Sequence, residues 1–347
     1  MSFKSAALVS ALAAGDALPA GSRVQAMTPF PRLPKGPLTE RAITVDQTNE
    51  SVIVAERLVV KWFREPAASP APRLLAHLAE TGFTRMPAPH AALWHADLLV
   101  ALIAAYLPDA QDGWDWCVDD VLASWESQVF PAFPGELGVL AADLHAAFAT
   151  PSSAFPSPLA TAAIDTWQAQ ATATVDAALA QTQDPWLRGI AARLHADAAV
   201  RAAGPTPVTH IHGDLHAGQI LRWRGGLAVT DFDGNPAVGA AGQLQPAARD
   251  VAQLLTSLEH VAQVADKRTG FTRSAAALAF AARAKDECLG AYMKRLDALG
   301  AGQLLDERLL RPFAVEQECR ELIYAARFLP RWAYAPMRVL RSWYQED

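Results

Sequence analysis

Residues 210–236 read HIHGDLHAGQILRWRGGLAVTDFDGNP, and this stretch says most about the fold and the chemistry of the chain. It combines three acidic residues, three histidines and one glutamine, although only 19% of the whole chain is charged. Two short apolar runs, Ile220–Trp223 and Leu227–Phe232, have the composition of β-strands. The stretch therefore predicts a loop, a strand and a second loop that bring polar side chains to one end of a hairpin.

The acidic and amide side chains of this stretch have the spacing of a phosphoryl-transfer site. Asp214 is followed five residues later by Gln219, and the second strand ends in the run Asp231-Phe232-Asp233-Gly234. This order is similar to the catalytic loop and the metal-binding loop of kinases. An acceptor hydroxyl needs a carboxylate to take its proton, and the phosphates need Mg²⁺ with oxygen ligands.

Metal-dependent hydrolysis is the alternative chemistry for the same stretch. His210, His212, Asp214 and His216 alternate, so they would share one face of an extended strand, an arrangement that suits metal ligands. However, Leu215 separates the acid from the last histidine, which does not fit the His-x-His-x-Asp-His pattern of binuclear hydrolases. The sequence therefore favours phosphoryl transfer.

Composition excludes several other classes of protein. The chain has 347 residues, 51% of them hydrophobic, and a formal net charge of −6, which fits neither a disordered chain nor a nucleic-acid binder with a basic surface. Three cysteines without a Cys-x-x-Cys pair argue against a disulfide framework and a zinc ribbon, and indicate a reducing cytoplasm. The alanine-rich run at residues 6–14 is interpreted as the first folded element rather than a signal peptide. No apolar run reaches the length of a membrane helix, so we expect a cytoplasmic protein without membrane contact.

The pattern of apolar residues predicts an α+β fold of two lobes. Residues 1–110 are expected to form a small β-rich lobe, and residues 111–347 a large helical lobe that contains the catalytic and metal-binding loops. The predicted strands of the small lobe are Ala42–Val45, Ser51–Ala55, Leu58–Phe63 and Leu98–Tyr106, with a helix at Arg73–Thr81. In the large lobe a strand is predicted at Val208–His212, and the helices at Trp114–Gln128, Gly135–Phe148, Leu159–Gln181, Pro185–Ala203, Ala247–Ala265, Arg273–Leu299 and Pro312–Phe328.

The run HGDLHAGQIL…DFDGNP resembles the aminoglycoside-phosphotransferase-like kinase family, and within it the bacterial glucosamine kinases and maltokinases. The resemblance covers most of the chain and is strongest over Val208–Asp250. Further similar runs are Val59–Phe63, Asp112–Trp114, Leu144–His145, Arg249–Ala252 and Tyr324–Trp332. The resemblance implies a bilobal protein-kinase-like fold and an enzyme that uses ATP and Mg²⁺ to phosphorylate an alcohol.

The resemblance also implies roles for individual residues. Asp214 would be the catalytic base, Gln219 and Asp231 the magnesium ligands, and Lys61 the partner of the ATP phosphates. Asp233 would bind a second metal ion or order its loop. Thr48 and Ser51 lie in a turn expected over the triphosphate, although that turn has no glycine.

Several residues are expected to support these groups rather than react. His212 is interpreted as a residue that holds the catalytic loop in its conformation and takes no part in the reaction. Arg249 and Asp250 begin a predicted helix, where they would act as an ion pair and cap or would brace the catalytic loop. Kinases of this type hold the phosphate-binding lysine with a glutamate. Glu80 is the candidate here, and the alternative is that Lys61 is held differently.

The acceptor is expected to be a sugar or an aminosugar. Gln317, Glu321 and Tyr324 are spaced i, i+4 and i+7 on a predicted helix, and Trp332 follows it. Amide and carboxylate groups suit sugar hydroxyls, an aromatic ring suits the apolar face of a pyranose, and a carboxylate suits an ammonium group. His216 is a further candidate contact of the substrate.

The leading interpretation is a glucosamine kinase that forms glucosamine 6-phosphate, because DFDGNP stands where a maltokinase is expected to have DFEGEP. A maltokinase that forms maltose 1-phosphate, an aminoglycoside phosphotransferase and a non-catalytic kinase-like module remain alternatives. The partners would be ATP and a small acceptor, with no nucleic acid, and the chain would be a monomer or a homodimer.

Overall fold

The computed structural model describes residues 4–44, 49–200, 204–234 and 243–345. The chain forms two compact units. The first comprises Met1–Gln111, Pro151–Pro156 and Leu221–Gly242, and the second comprises Asp112–Thr150, Ser157–Ile220 and Gln243–Asp347. Two segments that follow residue 110 thus belong to the first unit, and the second of them carries the predicted metal-binding loop. The sequence suggested instead a single domain boundary after residue 110. The domain boundary itself stays a prediction.

The strands and helices are numbered here in chain order. The strands are β1 Ser22–Ala26, β2 Glu40–Ile43, β3 Glu50–Val54, β4 Leu58–Ala67, β5 Pro89–His95, β6 Leu98–Ala105, β7 Ala160–Ala163, β8 Pro205–Val208, β9 Ile220–Trp223 and β10 Gly226–Val229. The helices are α1 Ser5–Ala14, α2 Ala71–Glu80, α3 Gly113–Ser127, α4 Phe133–Phe148, α5 Asp165–Thr182, α6 Pro185–Gly189, α7 Ala191–Ala198, α8 Ala248–Arg268, α9 Ser274–Ala298, α10 Leu310–Arg327 and α11 Tyr334–Tyr344.

The first unit is built on a six-stranded sheet in the order β1-β5-β6-β4-β3-β2, and each of these pairings is antiparallel. Alternate residues of β4, such as Leu58 and Val60, are fully buried, and they pack with Leu8 and Val9 of α1. The antiparallel pairing of β3 with β4 places Ser51 opposite Lys61. The sheet thereby fixes two of the predicted nucleotide-binding residues beside each other.

The second unit is organised around α8, which packs against α3, α9, α10 and α11. Polar as well as apolar side chains of α8 are buried, which is unusual for a helix of mixed composition. One apolar core lies among α5, α7, α10 and α11, and another joins α8 to the start of α10. A helix buried on most sides can present polar groups to several neighbours, which is how α8 serves the site described below.

The structure differs from the sequence prediction in four places. Residues 160–163, predicted as helix, form β7, which pairs with β8. This alanine-rich run has no strand preference of its own, so pairing with β8 determines its conformation. The predicted helix over 185–203 divides into α6 and α7. Strand β8 ends at Val208, four residues before the predicted end. Strands β1 and β5 and helix α11 were not predicted.

None of the helices among the described residues is both long enough and apolar enough to span a membrane. The three cysteines are buried free thiols.

Candidate active site

The loop that carries Asp214 is anchored on a buried carboxylate at the start of α8. Asp250 is fully buried and accepts hydrogen bonds from the backbone N–H groups of His212, at 2.8 Å, and Gly213, at 2.9 Å. Gly213 has a φ of +82°, a conformation that glycine adopts without strain. Nε2 of His145 on α4 donates to the same carboxylate at 3.1 Å. The loop backbone is therefore held by a charge in the core of the second unit.

Asp250 is ionised in spite of its burial. Burial alone would raise the pKa of this carboxyl, but hydrogen bonds from His145 and the Gly213 N–H, with the nearby His145 and His212 rings, hold the pKa below its ordinary value. The other ring nitrogen of His145 shares a hydrogen bond of 2.7 Å with the hydroxyl of Tyr292. The hydrogen bonds of Asp250 to the loop backbone are the contacts expected of a residue that braces the catalytic loop, one of the two roles that the sequence left open.

Asp214 lies among amide and imidazole groups of the second unit. Its Oδ1 accepts a hydrogen bond from Nε2 of Gln253 at 2.7 Å, and its Oδ2 lies 3.5 Å from Nε2 of Gln219 and 3.7 Å from Nε2 of His216. The backbone N–H of Asp214 donates to Nδ1 of His212 at 3.2 Å. The structure therefore brings the predicted base, its amide neighbour and His212 together.

Gln253 was not identified from the sequence. It is buried on α8, three residues after Asp250, so both side chains project from one face of the helix towards the loop. The only available signal was this spacing, which many helix pairs share. The contact with the Asp214 carboxylate appears only once the helix and the loop are folded.

His216 and Trp114 form an aromatic wall beside Asp214. Their rings stack with centroids 5.7 Å apart, and Nδ1 of His216 accepts a hydrogen bond from the Gly218 N–H at 3.0 Å. Burial lowers the pKa of His216, although the Asp214 charge opposes this shift, so the ring is neutral near pH 7. A Cβ on Gly113, the first residue of α3, would lie 1.8 Å from the backbone oxygen of Ala217. Glycine is therefore required where α3 meets the loop.

Three of the five predicted acceptor residues form one hydrogen-bonded set. Oε1 of Glu321 accepts from Nε2 of Gln317 at 2.9 Å, and Oε2 accepts from Nε1 of Trp332 at 2.7 Å. The Trp332 ring meets the Trp114 ring edge to face at 5.8 Å, which joins this set to the wall beside Asp214. Tyr324 is exposed instead, and its ring packs against Phe328 at 5.6 Å.

Buried ion pairs lie behind these groups. Arg249 is buried, pairs with Glu316 of α10 at 3.1 Å and stacks on Phe313, so it holds α10 in place rather than the loop. Nε2 of His260 bonds to Glu318 at 3.0 Å; burial opposes the imidazolium charge, but Glu318 outweighs it and raises the pKa of His260 to about 9. These pairs fix the helices that carry the acceptor set.

In the first unit, Lys61 lies between two carboxylates. Its Nζ donates to Oδ1 of Asp231 and to Oδ2 of Asp233, both at 2.6 Å. Asp231 has a φ of +65°, a left-handed conformation that costs energy for a residue with a side chain and that is common at functional sites. Ser51 stands opposite Lys61, and Thr48 lies outside the described residues.

Glu80 does not pair with Lys61. Its carboxylate accepts hydrogen bonds from the backbone N–H of Ser153, at 2.8 Å, and from the hydroxyl of the same residue. Burial opposes the charge of Lys61, but Asp231 and Asp233 outweigh it and raise the pKa of the amine. Burial, aided by the Asp231 charge, raises the pKa of Asp233 against the influence of Lys61. Lys61 is therefore a cation held by the predicted metal ligands.

The side chains of this loop fit a magnesium ion. Asp233 Oδ1 is buried and has no hydrogen-bond partner among the described residues, and the carboxylates of Asp231 and Asp233 share one cationic contact. Mg²⁺ prefers one or two carboxylates together with phosphate oxygens and water. The described residues contain no group of three or more His, Cys, Asp or Glu side chains placed to bind a metal ion. Residues 210–216 are all described, so the structure does not bring their histidines and Asp214 together as the ligands of a hydrolase metal site.

No protein-family model matches the chain. The chain is 44% identical over 317 residues to a glucosamine kinase of Streptacidiphilus jiangxiensis, an alignment that covers 86% of this chain and 72% of the relative. It is 42% identical over 317 residues to a glucosamine kinase of Mycolicibacterium smegmatis, over 86% of this chain and 77% of that relative.

Solved structures of similar proteins show the fold of the chain. A glucosamine kinase in complex with glucosamine, ADP and inorganic phosphate superposes with a TM-score of 0.82 at 36% identity, over 99% of this chain and 84% of that one. An aminoglycoside 2′-phosphotransferase-IIIa in complex with GDP matches with a TM-score of 0.51 at 13% identity, over 88% and 91% of the two chains. This second likeness shows the fold alone, and it confirms the predicted aminoglycoside-phosphotransferase-like fold class. With relatives of this identity and coverage, the chain belongs to the glucosamine kinase family.

Proposed function

We propose that this chain is a glucosamine kinase, which transfers the terminal phosphoryl group of ATP to the 6-hydroxyl of glucosamine. The observation that carries the proposal is the pair of carboxylates in the second unit: Asp214, held by Gln253, and Glu321, held by Gln317 and Trp332. One carboxylate suits a hydroxyl proton, and the other suits the ammonium group of an aminosugar. Relatives at 42–44% identity that are glucosamine kinases support this choice of acceptor.

Asp214 is assigned as the group that accepts the proton of the attacking hydroxyl. As the sugar oxygen bonds to the terminal phosphorus, the bond from that phosphorus to the bridging oxygen of ADP breaks, and the hydroxyl proton passes to Asp214. The hydrogen bond from Gln253 orients the Asp214 carboxylate, and the backbone anchoring by Asp250 fixes the loop. Such fixed geometry lowers the cost of bringing the reacting groups together.

Lys61, Asp231 and Asp233 are assigned to the nucleotide and its metal. Lys61 would bind phosphate oxygens of ATP, with Ser51 beside it on the neighbouring strand. Asp231 and Asp233 would hold Mg²⁺, which supplies positive charge to the phosphates when it is bound. Gln219, in the second unit, remains a predicted magnesium ligand. Thr48 remains a predicted nucleotide contact. The cytoplasmic location and the oligomeric state also remain predictions.

Glu321 is assigned to the amino group of the acceptor. Among the described residues, the Glu321 carboxylate accepts hydrogen bonds from two neutral N–H donors, those of Gln317 and Trp332, and a carboxylate is the group best suited to a cationic partner. The apolar face of the sugar would rest on Trp332 and on the aromatic wall of Trp114 and His216. Glucose lacks the ammonium group, so it should bind this site less tightly.

The first experiment is ADP release from Mg-ATP with glucosamine, glucose, N-acetylglucosamine, maltose and kanamycin as acceptors. We expect a strong signal with glucosamine, and phosphorus NMR of the product should show a 6-phosphate. A signal confined to maltose or kanamycin would contradict the acceptor assignment while leaving the transfer chemistry in place.

The second experiment tests Glu321 directly. Glu321→Gln should lower kcat/KM for glucosamine by about 10- to 100-fold, as expected for loss of a charge-assisted hydrogen bond, and should leave glucose nearly unchanged. Glu287→Gln, at an exposed position of α9, is the matched control and should behave like the parent protein. An equal loss with glucosamine and glucose would show that Glu321 does not bind the ammonium group.

A further inference from the structure

Lys61 has a position that phosphate binding alone does not explain. Its ammonium group lies at hydrogen-bond distance, 2.6 Å, from carboxylate oxygens of both Asp231 and Asp233. Those two side chains are the ones suited to a divalent cation. A lysine ammonium and a metal ion would therefore compete for the same pair of negative charges.

Among the described residues, the acidic side chains that contact Lys61 are Asp231 and Asp233. Glu80, the expected partner, is bound to Ser153 instead. On the opposite strand stands Ser51, which is neutral. To leave the carboxylates, the ammonium group needs another anion, and the phosphates of a nucleotide are the anions that the proposed function supplies.

We propose that Lys61 is the internal counter-ion of the metal site, so that a divalent cation binds Asp231 and Asp233 well only when Lys61 has moved to phosphate oxygens. Metal and nucleotide then bind as a coupled pair, and metal binding without nucleotide is weak. By linkage, bound nucleotide raises the affinity for the metal by the same factor as bound metal raises the affinity for the nucleotide. This inference rests on the proposed function for the identity of the anion, and its test does not require catalysis.

In this role Lys61 weakens the binding of a metal ion to the two carboxylates that it contacts. A lysine that bound only phosphate and lay away from the carboxylates would leave the metal affinity of the nucleotide-free chain unchanged when it is removed. Here the removal of Lys61 strengthens metal binding in the absence of nucleotide, because a competing cation is gone. The sign of the effect therefore separates the two roles.

The experiment measures binding of Mn²⁺, without nucleotide, by calorimetry and electron paramagnetic resonance. Lys61→Met should bind Mn²⁺ about tenfold more tightly than the parent, since the competing ammonium is removed from both carboxylates. Lys35→Met, at an exposed lysine of the same unit, should match the parent. Asp231→Asn added to Lys61→Met should abolish the gain. Equal or weaker Mn²⁺ binding by folded Lys61→Met would overturn the inference.

A second measurement uses the unaltered chain, in case Lys61→Met folds poorly. An amine-reactive reagent and peptide mass spectrometry report how reactive each lysine is. Saturating Mn²⁺ should raise the reactivity of Lys61 and leave that of Lys35 unchanged. Unchanged reactivity of Lys61 with bound Mn²⁺ would overturn the inference.

The outcomes separate this inference from the proposed function. Tighter Mn²⁺ binding by Lys61→Met in a chain that releases no ADP with any acceptor supports the counter-ion role and contradicts the kinase assignment. An active glucosamine kinase whose metal affinity does not rise in Lys61→Met supports the kinase assignment and overturns the counter-ion role.

Discussion

Asp250 in the second unit and Asp231 in the first are both carboxylates that serve neighbouring loops, but they are held in different ways. Asp250 is fully buried and bonds to two backbone N–H groups and a histidine. The Asp231 side chain is 45% exposed and its ion-pair partner is Lys61. Backbone donors cannot leave, whereas a lysine can exchange one anion for another. The loop that carries Asp214 is thus held through its backbone by a buried carboxylate, whereas the loop that carries Asp231 and Asp233 is held by a side chain that can move.

The largest effect is expected from removing the carboxylate of Asp214 from the loop that Asp250 holds. Asp214→Asn should lower kcat by about 10²- to 10⁴-fold, because the variant cannot accept the hydroxyl proton. Steady-state ADP release with glucosamine measures the loss. Asp286→Asn, at an exposed position of α9, should keep the activity of the parent. Near-normal turnover by Asp214→Asn would show that another group takes the proton.

The next test removes the charge of Asp250, which anchors the loop, and leaves Asp214 unchanged. Asp250→Asn should lower the free energy of unfolding by about 3 kcal/mol, because an amide cannot satisfy the same backbone and imidazole donors. Chemical denaturation followed by circular dichroism measures this. Since folding lowers the pKa of Asp250, its stabilising contribution is present above the ordinary value of 3.8 and is lost as the pH falls through the lowered value.

The difference in stability between the parent and Asp250→Asn should therefore be widest near neutral pH and should narrow below about pH 4. Asp286→Asn, whose side chain is exposed, should show no such difference at any pH. A gap that does not narrow in acid would mean that Asp250 acts through its shape and not through its charge.

A smaller effect is expected from the amide that orients the base. Gln253→Met keeps the length of the side chain and removes the hydrogen bond to Asp214, so kcat should fall by about 10- to 100-fold. The KM for ATP should stay the same, because Gln253 contacts the base. Gln303→Met, at an exposed site, is the control. A rise in the KM for ATP with unchanged kcat would contradict the orienting role.

The smallest effects distinguish the two aromatic residues predicted to bind the acceptor. Trp332→Phe removes the indole donor to Glu321 and should raise the KM for glucosamine by about 5- to 10-fold, the cost of one hydrogen bond. Tyr324→Phe should stay within about twofold, as is usual for exposed positions. A larger effect from Tyr324 would place the acceptor on the outer face of α10.

Much of the site was visible in the sequence because the chemistry is concentrated in one stretch. Asp214, Gln219 and His212 are close together in sequence, so the loop brings them together without help from distant residues. Helix periodicity placed Gln317 and Glu321 on one face, and they are hydrogen-bonded. Tyr324 fits the same period but is exposed. Spacing predicts a shared helix face, but packing decides how much of that face is covered.

What the sequence did not show depends on contacts between distant residues. The partner of Lys61 could not be predicted, since the choice between Glu80 and the aspartates depends on Ser153. Strand β7 has an alanine-rich sequence without a strand signal, and pairing with β8 made it a strand. Gln253 lies 39 residues from Asp214, and only folding of α8 brings the two side chains together.

The close approach at Gly113 affects how variants of this protein should be read. Backbone atoms of the loop occupy the space where any side chain at that position would stand. An alanine scan would thus find a position whose substitution abolishes turnover although no atom there takes part in the reaction. A library aimed at new acceptors should leave Gly113 unchanged, whereas the aromatic residues proposed to contact the sugar can be varied. Close packing of two backbones can constrain evolution as firmly as a reactive group does.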